Sequence, residues 1–402
     1  MLKKSNFFEG YFGNSSKYYK NLKQTKRIFN SLIIDLKNCD IPLLESYKKE
    51  YQFDFSTTLV KKFSKYKNIV IIGVGGSILG AKSIYSFLKK KIKKEVFFFD
   101  NLDSNLHLSF EKQKNFRNSC FVIVSKSGNT LETIVNLSTI LSKTLLKKRL
   151  IIITEIKNNN LMVIANKYSA EIIEHKEFIS GRYSVLSEPG MFPAALMGLN
   201  VKKFKNLKAL MRNKNFVSIL VQNVAGIYTL FTQGIINSVI LNYDSNLNDL
   251  GYWYQQLIAE SLGKNGKGFN PTMSLNPKDH HSLLQLYLDG PKDKFFTFFN
   301  STKSENKFKV TGEIIPSDMM FLKNKNLEFI TNAQCNATKN IFKLKKIPFR
   351  QITFNKKDEN ELGEIFTFFV LETILLSRLM NIDPFNQPAV EQVKIETKKF
   401  LR

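Results

Sequence analysis

The sequence has little cysteine, histidine or tryptophan. Its 402 residues include three cysteines, four histidines and one tryptophan. Cys39, Cys120 and Cys335 are odd in number, far apart and outside any CxxC pattern, which argues against a disulfide scaffold and fits a reducing cytoplasm. The only adjacent histidines, His280 and His281, point about 100° apart if helical, which makes them a poor metal clamp. We therefore expect no metal site.

Long apolar runs are also missing. Apolar runs such as those at 96–99 and 150–153 have the length of a strand and fall far short of a membrane span. The first residues, MLKKSNFFEG, have a basic start without the apolar core or cleavage site of an export signal. These absences predict a cytoplasmic protein that does not enter a membrane.

Acidic residues are scarce beside basic ones. Sixty Lys and Arg against 34 Asp and Glu give a formal net charge of +26. Such an excess can indicate a nucleic-acid partner, but the lysines are scattered and accompany no nucleic-acid motif. Lysine is abundant together with Asn, Ile and Phe, which favours a general compositional bias. We expect no nucleic-acid partner, only a positive field that favours anionic substrates.

What the chain does contain is a strand, a polar turn and a helix start in the stretch CFVIVSKSGNTLET, residues 120–133. Its β-branched first half is typical of a strand buried on both faces. Ser125, Lys126, Ser127 and Thr130 then place hydroxyls and an ammonium where free backbone N–H groups meet the positive end of a helix dipole. Such a turn can bind phosphate; the alternative is an ordinary turn whose hydroxyls only cap the helix.

A second turn of this kind follows the buried run at 68–72. The stretch GVGGSILGAK, residues 73–82, combines glycines that allow a tight turn with the hydroxyl of Ser77 at a helix start. It matches neither GxxxxGK[ST] nor a strict GxGxxG, so a nucleotide is weakly supported. Two such turns at the carboxyl ends of parallel strands predict a site for a small phosphorylated ligand.

The order of apolar runs and helical stretches predicts the domain organisation. The alternation is that of parallel sheets wrapped by helices, so we expect an α/β protein with two tandem α/β/α sandwich domains and helical arms at both ends. The expected strands cover 68–72, 95–99, 120–124, 149–153, 171–173, 238–241, 294–299 and 349–354, with a long helix near 358–380. The expected boundaries are 1–54 for the N-terminal helical arm, 55–200 and 201–382 for the two domains, and 383–402 for the C-terminal helix.

Glu260 is the first candidate for chemistry. It ends an expected helix over 249–262, capped by Gly263, and shares a face with Trp253 and Leu257. A carboxylate on such a face is a candidate general base. The alternative is an exposed glutamate paired with Lys264.

Three further residues are candidates for chemistry. His281 lies beside an expected helix start and could exchange protons near neutral pH, or it could be a capping or solvated histidine. Arg182 lies in a turn where it could meet an anion. Lys394 lies on the C-terminal helix, where a lysine is more often solvated than functional.

Together these motifs resemble the glucose-6-phosphate isomerase family, which is built from two sugar-isomerase (SIS) domains. The resemblance spans roughly Ile69 to Lys394, and its last four stretches are specific as a set. The matching stretches are GVGGSILGAK (73–82), SKSGNTLET (125–133), GRYSVLSEPG (181–190), WYQQLIAESLGKNGKG (253–268), DHHSLLQLYLDGP (279–291) and DPFNQPAVEQVK (383–394).

The resemblance implies a role for each matching residue. Glu260 would carry a proton between C2 and C1 of the sugar, Arg182 would stabilise the resulting enediolate, and His281 with Lys394 would open the ring. Gly181 and Gln387 would line the site. The phosphate would bind the hydroxyls and ammonium of Ser77, Ser125, Lys126, Ser127 and Thr130. The resemblance also implies no cofactor and a homodimer in which His281 is contributed across the interface.

Several positions differ from the common pattern of that family. They are Gly128-Asn129, Ser180, His280 and Ala389, none of which is an expected catalytic side chain. The differences affect pocket shape and leave open a broader phosphoglucose/phosphomannose isomerase. A non-catalytic SIS regulator that binds a sugar phosphate is the other alternative.

Overall fold

The computed structural model describes residues 6–8, 10–112, 118–141, 148–302 and 308–402. Its strands are β1 (Asn6–Phe7), β2 (Asn68–Ile72), β3 (Glu95–Phe99), β4 (Ser119–Val124), β5 (Leu150–Thr154), β6 (Glu171–Glu174), β7 (Asn237–Asn242), β8 (Asn270–Leu275), β9 (Lys294–Ser301) and β10 (Phe349–Phe354). Its helices are α1 (Ser16–Asn38), α2 (Thr57–Ser64), α3 (Leu79–Leu88), α4 (Ser104–Lys112), α5 (Leu131–Leu141), α6 (Asn160–Tyr168), α7 (Glu188–Leu196), α8 (Leu207–Arg212), α9 (Lys214–Phe231), α10 (Asn248–Leu262), α11 (Leu284–Asp289), α12 (Leu327–Leu344), α13 (Glu359–Met380) and α14 (Val390–Phe400).

The first sheet has the order β3-β2-β4-β5-β6, and every neighbouring pair in it is parallel. β2, β4 and β5 are buried along their whole length, as their continuous Val and Ile runs predict. Because β2 and β4 are hydrogen-bonded neighbours, the turns that follow them meet at one edge of the sheet.

The second sheet has the order β1-β10-β9-β7-β8. β10, β9, β7 and β8 are parallel, and the two-residue β1 closes the β10 edge in antiparallel register. The sequence indicated a helical N-terminal arm, but the arm also contains the strand β1. It adds a strand to the second sheet before α1 packs against α9.

Helices cover both faces of both sheets. On the outer face of the first sheet, Val70 and Ile123 pack with Leu137 and Leu161 of α5 and α6. On the outer face of the second, Phe298 packs with Phe342 of α12. The two inner faces share one continuous core with α3, α7, α9, α10 and α13. This confirms the expected fold class of tandem α/β/α layers with parallel sheets, while the exact domain boundaries stay a prediction.

Besides β1, the sequence did not predict β8. Asn270 and Pro271 interrupt its apolar pattern. β8 lies at the edge of its sheet, where the missing N–H of a proline is tolerated. Among the described residues, no helix combines the length and apolar character needed to cross a bilayer.

Candidate active site

A cavity of about 900 Å³ opens where the turns after β2 and β4 face the second sheet's α10 and the C-terminal segment. Nine of the expected site residues line it: Ser77, Lys126, Ser127, Thr130, Gly181, Arg182, Glu260, Gln387 and Lys394. Residues from five separate stretches of the chain therefore meet in one place.

The turn after β4 presents Ser127 and Thr130 to this cavity, whereas Ser125, also an expected site residue, does not line it. Ser125 is buried, and its Oγ lies 2.8 Å from Oγ1 of Thr130, the residue just before α5. Gly128 has a φ of +67°, and a Cβ there would lie 2.0 Å from Oδ1 of Asn159. A side chain at this position would push the turn away from the neighbouring one, so the glycine is required by both conformation and space.

The turn after β2 approaches the opposite wall closely. A Cβ on Gly76 would lie 2.1 Å from the carbonyl carbon of Gly181. The glycine therefore lets the Ser77 turn and the Gly181–Leu186 turn pack backbone to backbone. This contact places Arg182 directly beside the turn that carries Ser77.

Arg182 is the centre of the hydrogen bonding in the site. Its side chain is 1% exposed, and its Nη1 donates to Glu260 Oε1 at 2.8 Å and to Gln387 Oε1 at 2.7 Å. Its Nε donates to Ser261 Oγ, and its Nη2 donates to the backbone carbonyls of Pro384 and Asn386. The buried cation is therefore paired with one carboxylate and four neutral acceptors, which is what a buried charge requires.

Glu260 faces the cavity from the last turn of α10, with its side chain 26% exposed. Its ion-pair partner is Arg182 and not Lys264, the partner that the alternative interpretation named. Lys264 instead donates to the backbone carbonyl of Asp383, and burial lowers the pKa of its ammonium.

Gln256 is a site residue that the sequence reasoning missed. Its Nε2 donates to Glu260 Oε2 at 2.9 Å, so both carboxylate oxygens are held. Its own Oε1 is buried without a hydrogen-bond partner within the described ranges, and the residue lines the cavity. The i, i+4 spacing of Gln256 and Glu260 on one helix was the signal that could have identified it.

A buried network fixes the helix that carries Glu260. Tyr254 on α10 donates to Glu372 at 2.7 Å and accepts from Arg350 Nη2 at 2.7 Å. Arg350 and Glu372 are fully buried and form an ion pair. The network ties α10 to β10 and α13, so the helix that carries Glu260 has a rigid support.

The C-terminal segment closes one side of the cavity. Tyr183 and Arg182 both donate to the carbonyl of Pro384. Burial raises the pKa of Tyr183 to about 12, so this hydroxyl stays a donor at neutral pH. Lys394 on α14 reaches the cavity wall with its side chain 63% exposed, and its Nζ pairs with Glu391 at 2.6 Å.

His281 is the one expected catalytic residue that does not line this cavity. It ends the turn Lys278–His281, and its side chain is exposed. The neighbouring His280 lies 2.7 Å from the hydroxyl of Tyr243, and burial lowers the pKa of its imidazole.

The arrangement suits proton transfer on a bound anion. One end offers hydroxyls at a helix N-terminus, and the other offers a carboxylate held between a cation and an amide. Among the residues the structure describes, no group of three or more His, Cys, Asp or Glu could hold a metal ion.

Comparison with known proteins gives one consistent result. A family model described as "Phosphoglucose isomerase" matches residues 52–288. "Glucose-6-phosphate isomerase" of Methanocaldococcus jannaschii is 33% identical over 356 residues, which cover 85% of this chain and 86% of the relative. The protein of the same name from Campylobacter jejuni is 30% identical over 363 residues, which cover 87% and 88%.

Solved structures share the fold. A hypothetical protein from Thermus thermophilus superposes with a TM-score of 0.85 at 21% identity, covering 99% of both chains. A glucose-6-phosphate isomerase from Chlamydia trachomatis superposes with a TM-score of 0.71 at 17% identity, covering 86% of this chain and 71% of that one.

Proposed function

The chain belongs to the phosphoglucose isomerase family, and we propose that it interconverts glucose 6-phosphate and fructose 6-phosphate through a cis-enediol(ate). The reaction is a step of glycolysis and gluconeogenesis. The observation that supports the mechanism most is the position of Glu260. Its carboxylate is held by Arg182 and Gln256 in the same cavity as two hydroxyl-bearing turns.

The phosphate is proposed to bind at the helix N-terminal end of the cavity. Ser77, Ser125, Ser127 and Thr130 would donate from their hydroxyls, and Lys126 would supply positive charge. Backbone N–H groups at the start of α5 add further donors. With the phosphate bound there, C1 and C2 of the sugar would lie close to Glu260.

Glu260 is proposed to take the proton from C2 and return it to C1. Its negative charge would then pass to the enediolate oxygens, while Arg182 stays in place beside both. The cation thus faces one negative charge before and after the transfer, so little reorganisation is needed. Gln387, which accepts from Arg182, and Gly181 would line the sugar's path.

Ring opening is proposed to use His281 with assistance from Lys394. Lys394 already lines the cavity of its own chain, whereas His281 does not. We therefore propose a homodimer in which the histidine of one chain completes the site of the other. The mechanism assigns no role to a metal or organic cofactor.

Exposed apolar side chains support such a dimer. A single chain leaves large apolar side chains exposed to solvent between residue 286 and the C-terminal helix, and their burial against a second chain would stabilise a dimer. They include Leu286 (44% exposed), Ile314 (92%), Phe321 (69%), Phe329 (55%), Leu344 (78%) and Phe400 (89%).

An isomerase assay on the purified protein tests the function. Glucose 6-phosphate should be converted, and comparison with mannose 6-phosphate distinguishes a strict enzyme from a broader phosphoglucose/phosphomannose isomerase. A non-catalytic sugar-phosphate regulator would bind glucose 6-phosphate without turnover. Negligible turnover of glucose 6-phosphate would reject the proposed activity.

We also propose a cytoplasmic location. The three cysteines are free thiols, two of them buried, as suits a reducing compartment. Fractionation of native cells with an antibody to the chain would test it, and recovery with the exported proteins would reject it.

A further inference from the structure

A third turn meets the phosphate end of the cavity, and it carries charges that no step above uses. It follows β5 and spans residues 155–159, with Glu155 and Lys157 lining the same cavity as Ser127 and Thr130. The side chain of Glu155 is only 8% exposed, whereas that of Lys157 is 55% exposed. A buried carboxylate beside a proposed dianion site requires an explanation.

Hydrogen bonds hold this turn rigidly against the Ser125–Thr130 turn. The backbone N–H of Glu155 donates to the carbonyl of Lys126 at 3.1 Å, and that of Leu161 donates to the carbonyl of Gly128 at 3.1 Å. Asn159 caps α6 and also donates to the carbonyls of Glu155 and Lys157. The two turns therefore form one unit, and the backbone of Lys157 is held in place by Asn159.

The two lysines at this end differ in their surroundings. Lys126 Nζ donates to the carbonyl of Glu177 at 2.6 Å and lies 3.6 Å from Glu155 Oε1. Burial lowers the pKa of Lys126, whereas the contact with the Glu155 carboxylate raises the pKa of Lys157. Lys157 forms an ion pair with Glu155 through the other carboxylate oxygen, on a half-exposed and flexible stem.

The charge of the cavity shows why a second lysine matters. Its lining includes four basic and four acidic side chains, so the overall +26 of the protein is not concentrated there. At the phosphate end, Lys126 without Lys157 would face the carboxylates of both Glu132 and Glu155. A phosphate dianion added to that set would meet net repulsion unless another cation joined it.

We propose that Lys157 is a further phosphate-binding residue, and that it exchanges the Glu155 carboxylate for the substrate phosphate when the sugar binds. Glu155 then has two effects. It holds the lysine at the site before binding, and it competes with the phosphate for the same ammonium. The inference deepens the proposed function and rests on it for the identity of the natural ligand.

Three variants and one probe test this proposal. The probe is inorganic phosphate, whose Kd is measured by calorimetry, and KM and kcat for glucose 6-phosphate are measured in parallel. K157M should raise both Kd and KM about tenfold with kcat within about twofold, because it removes one charge-assisted contact far from the reacting carbons. E155Q should lower the phosphate Kd about threefold, because it removes the competing charge.

K208M is the matched control. Lys208 pairs with Glu50, and its side chain is 56% exposed, so the substitution removes the same charge and a similar ion pair away from the cavity. Phosphate binding by K157M that equals that of K208M would overturn the assignment of Lys157. Weaker phosphate binding by E155Q would overturn the exchange. Because calorimetry needs no turnover, an inactive wild-type protein would reject the proposed function without deciding this inference.

Discussion

Arg182 Nη1 lies 2.8 Å from Oε1 of Glu260, although 78 residues separate the two in the chain. The arginine comes from the turn Gly181–Leu186 that packs on the first sheet's glycine turn, and the glutamate comes from the helix after β7 of the second sheet. The contact therefore joins the two halves of the molecule at the point where we propose that chemistry occurs.

The first prediction concerns Arg182. R182K keeps a positive charge but cannot reproduce the bonds that the planar guanidinium makes to Glu260, Gln387 and the segment 384–386. We expect kcat to fall by about 10²–10³, the usual cost of removing an electrostatic stabiliser. Thermal unfolding would show whether the fold is kept, and R378K, which alters an arginine paired with Asp35, is the control. A kcat within a fewfold of wild type would mean that Arg182 has only a structural role.

The second prediction concerns the phosphate turn. T130V keeps the shape of the side chain but removes the hydroxyl that lies 2.8 Å from Ser125 Oγ. We expect KM for glucose 6-phosphate to rise about tenfold with little change in kcat, because the contact is made equally in the ground and transition states. T139V is the control, since Thr139 on α5 donates to the carbonyl of Val135 in its own helix. An unchanged KM would contradict phosphate binding at this turn.

The third prediction tests the shared site. E260Q and H281A should each be inactive as homodimers, but a mixed dimer would contain one site with both Glu260 and His281 intact. Random mixing should therefore recover roughly a quarter of wild-type activity, because half of the dimers are mixed and each has one working site. Co-expression followed by an isomerase assay measures the recovery. No recovery in proven heterodimers would place both residues in one chain.

The fourth prediction is a pH dependence of stability. His175 is buried, and desolvation lowers its pKa from 6.5 to about 4. Below pH 6.5 the unfolded chain binds a proton that the folded chain does not, so stability falls until the pH reaches about 4. The loss attributable to this residue is about 3 kcal/mol. Urea unfolding of wild type and H175Q between pH 7 and 4 should show a flatter dependence for the variant, and parallel curves would contradict the assignment.

Much of the fold could be predicted from the sequence because local signals dominate in it. The bounds of β2, β3 and β10 are the ones expected from the sequence, because each of these segments is rich in β-branched or aromatic residues. β8 was missed because Pro271 breaks the pattern, and β1 because two residues carry no periodicity. β1 and β8 lie at the two edges of the second sheet, and their pairing with it becomes evident only in the folded structure.

Some residues of the site could likewise be identified from the sequence, and others could not. The Ser125–Thr130 turn was identified because its residues are consecutive and follow a strand. Glu155 and Lys157 were not identified, because the roles we propose for them depend on a third turn that packs on the first through backbone hydrogen bonds. His281 lies outside the described cavity of its own chain, so its role stays a prediction that only the assembled protein can test.

The most direct test of the account is solvent exchange at C2 in E260Q. Wild-type protein in D₂O with glucose 6-phosphate should incorporate deuterium during turnover, as followed by NMR. E260Q should exchange more slowly by about 10²–10⁴ while the Kd for the sugar phosphate stays within about threefold, because the lost group is the proposed base and not a phosphate ligand. The surface variant E171Q, which loses an ion pair with Lys62, should behave as wild type. Exchange by E260Q at the wild-type rate would contradict the central claim that Glu260 carries the proton.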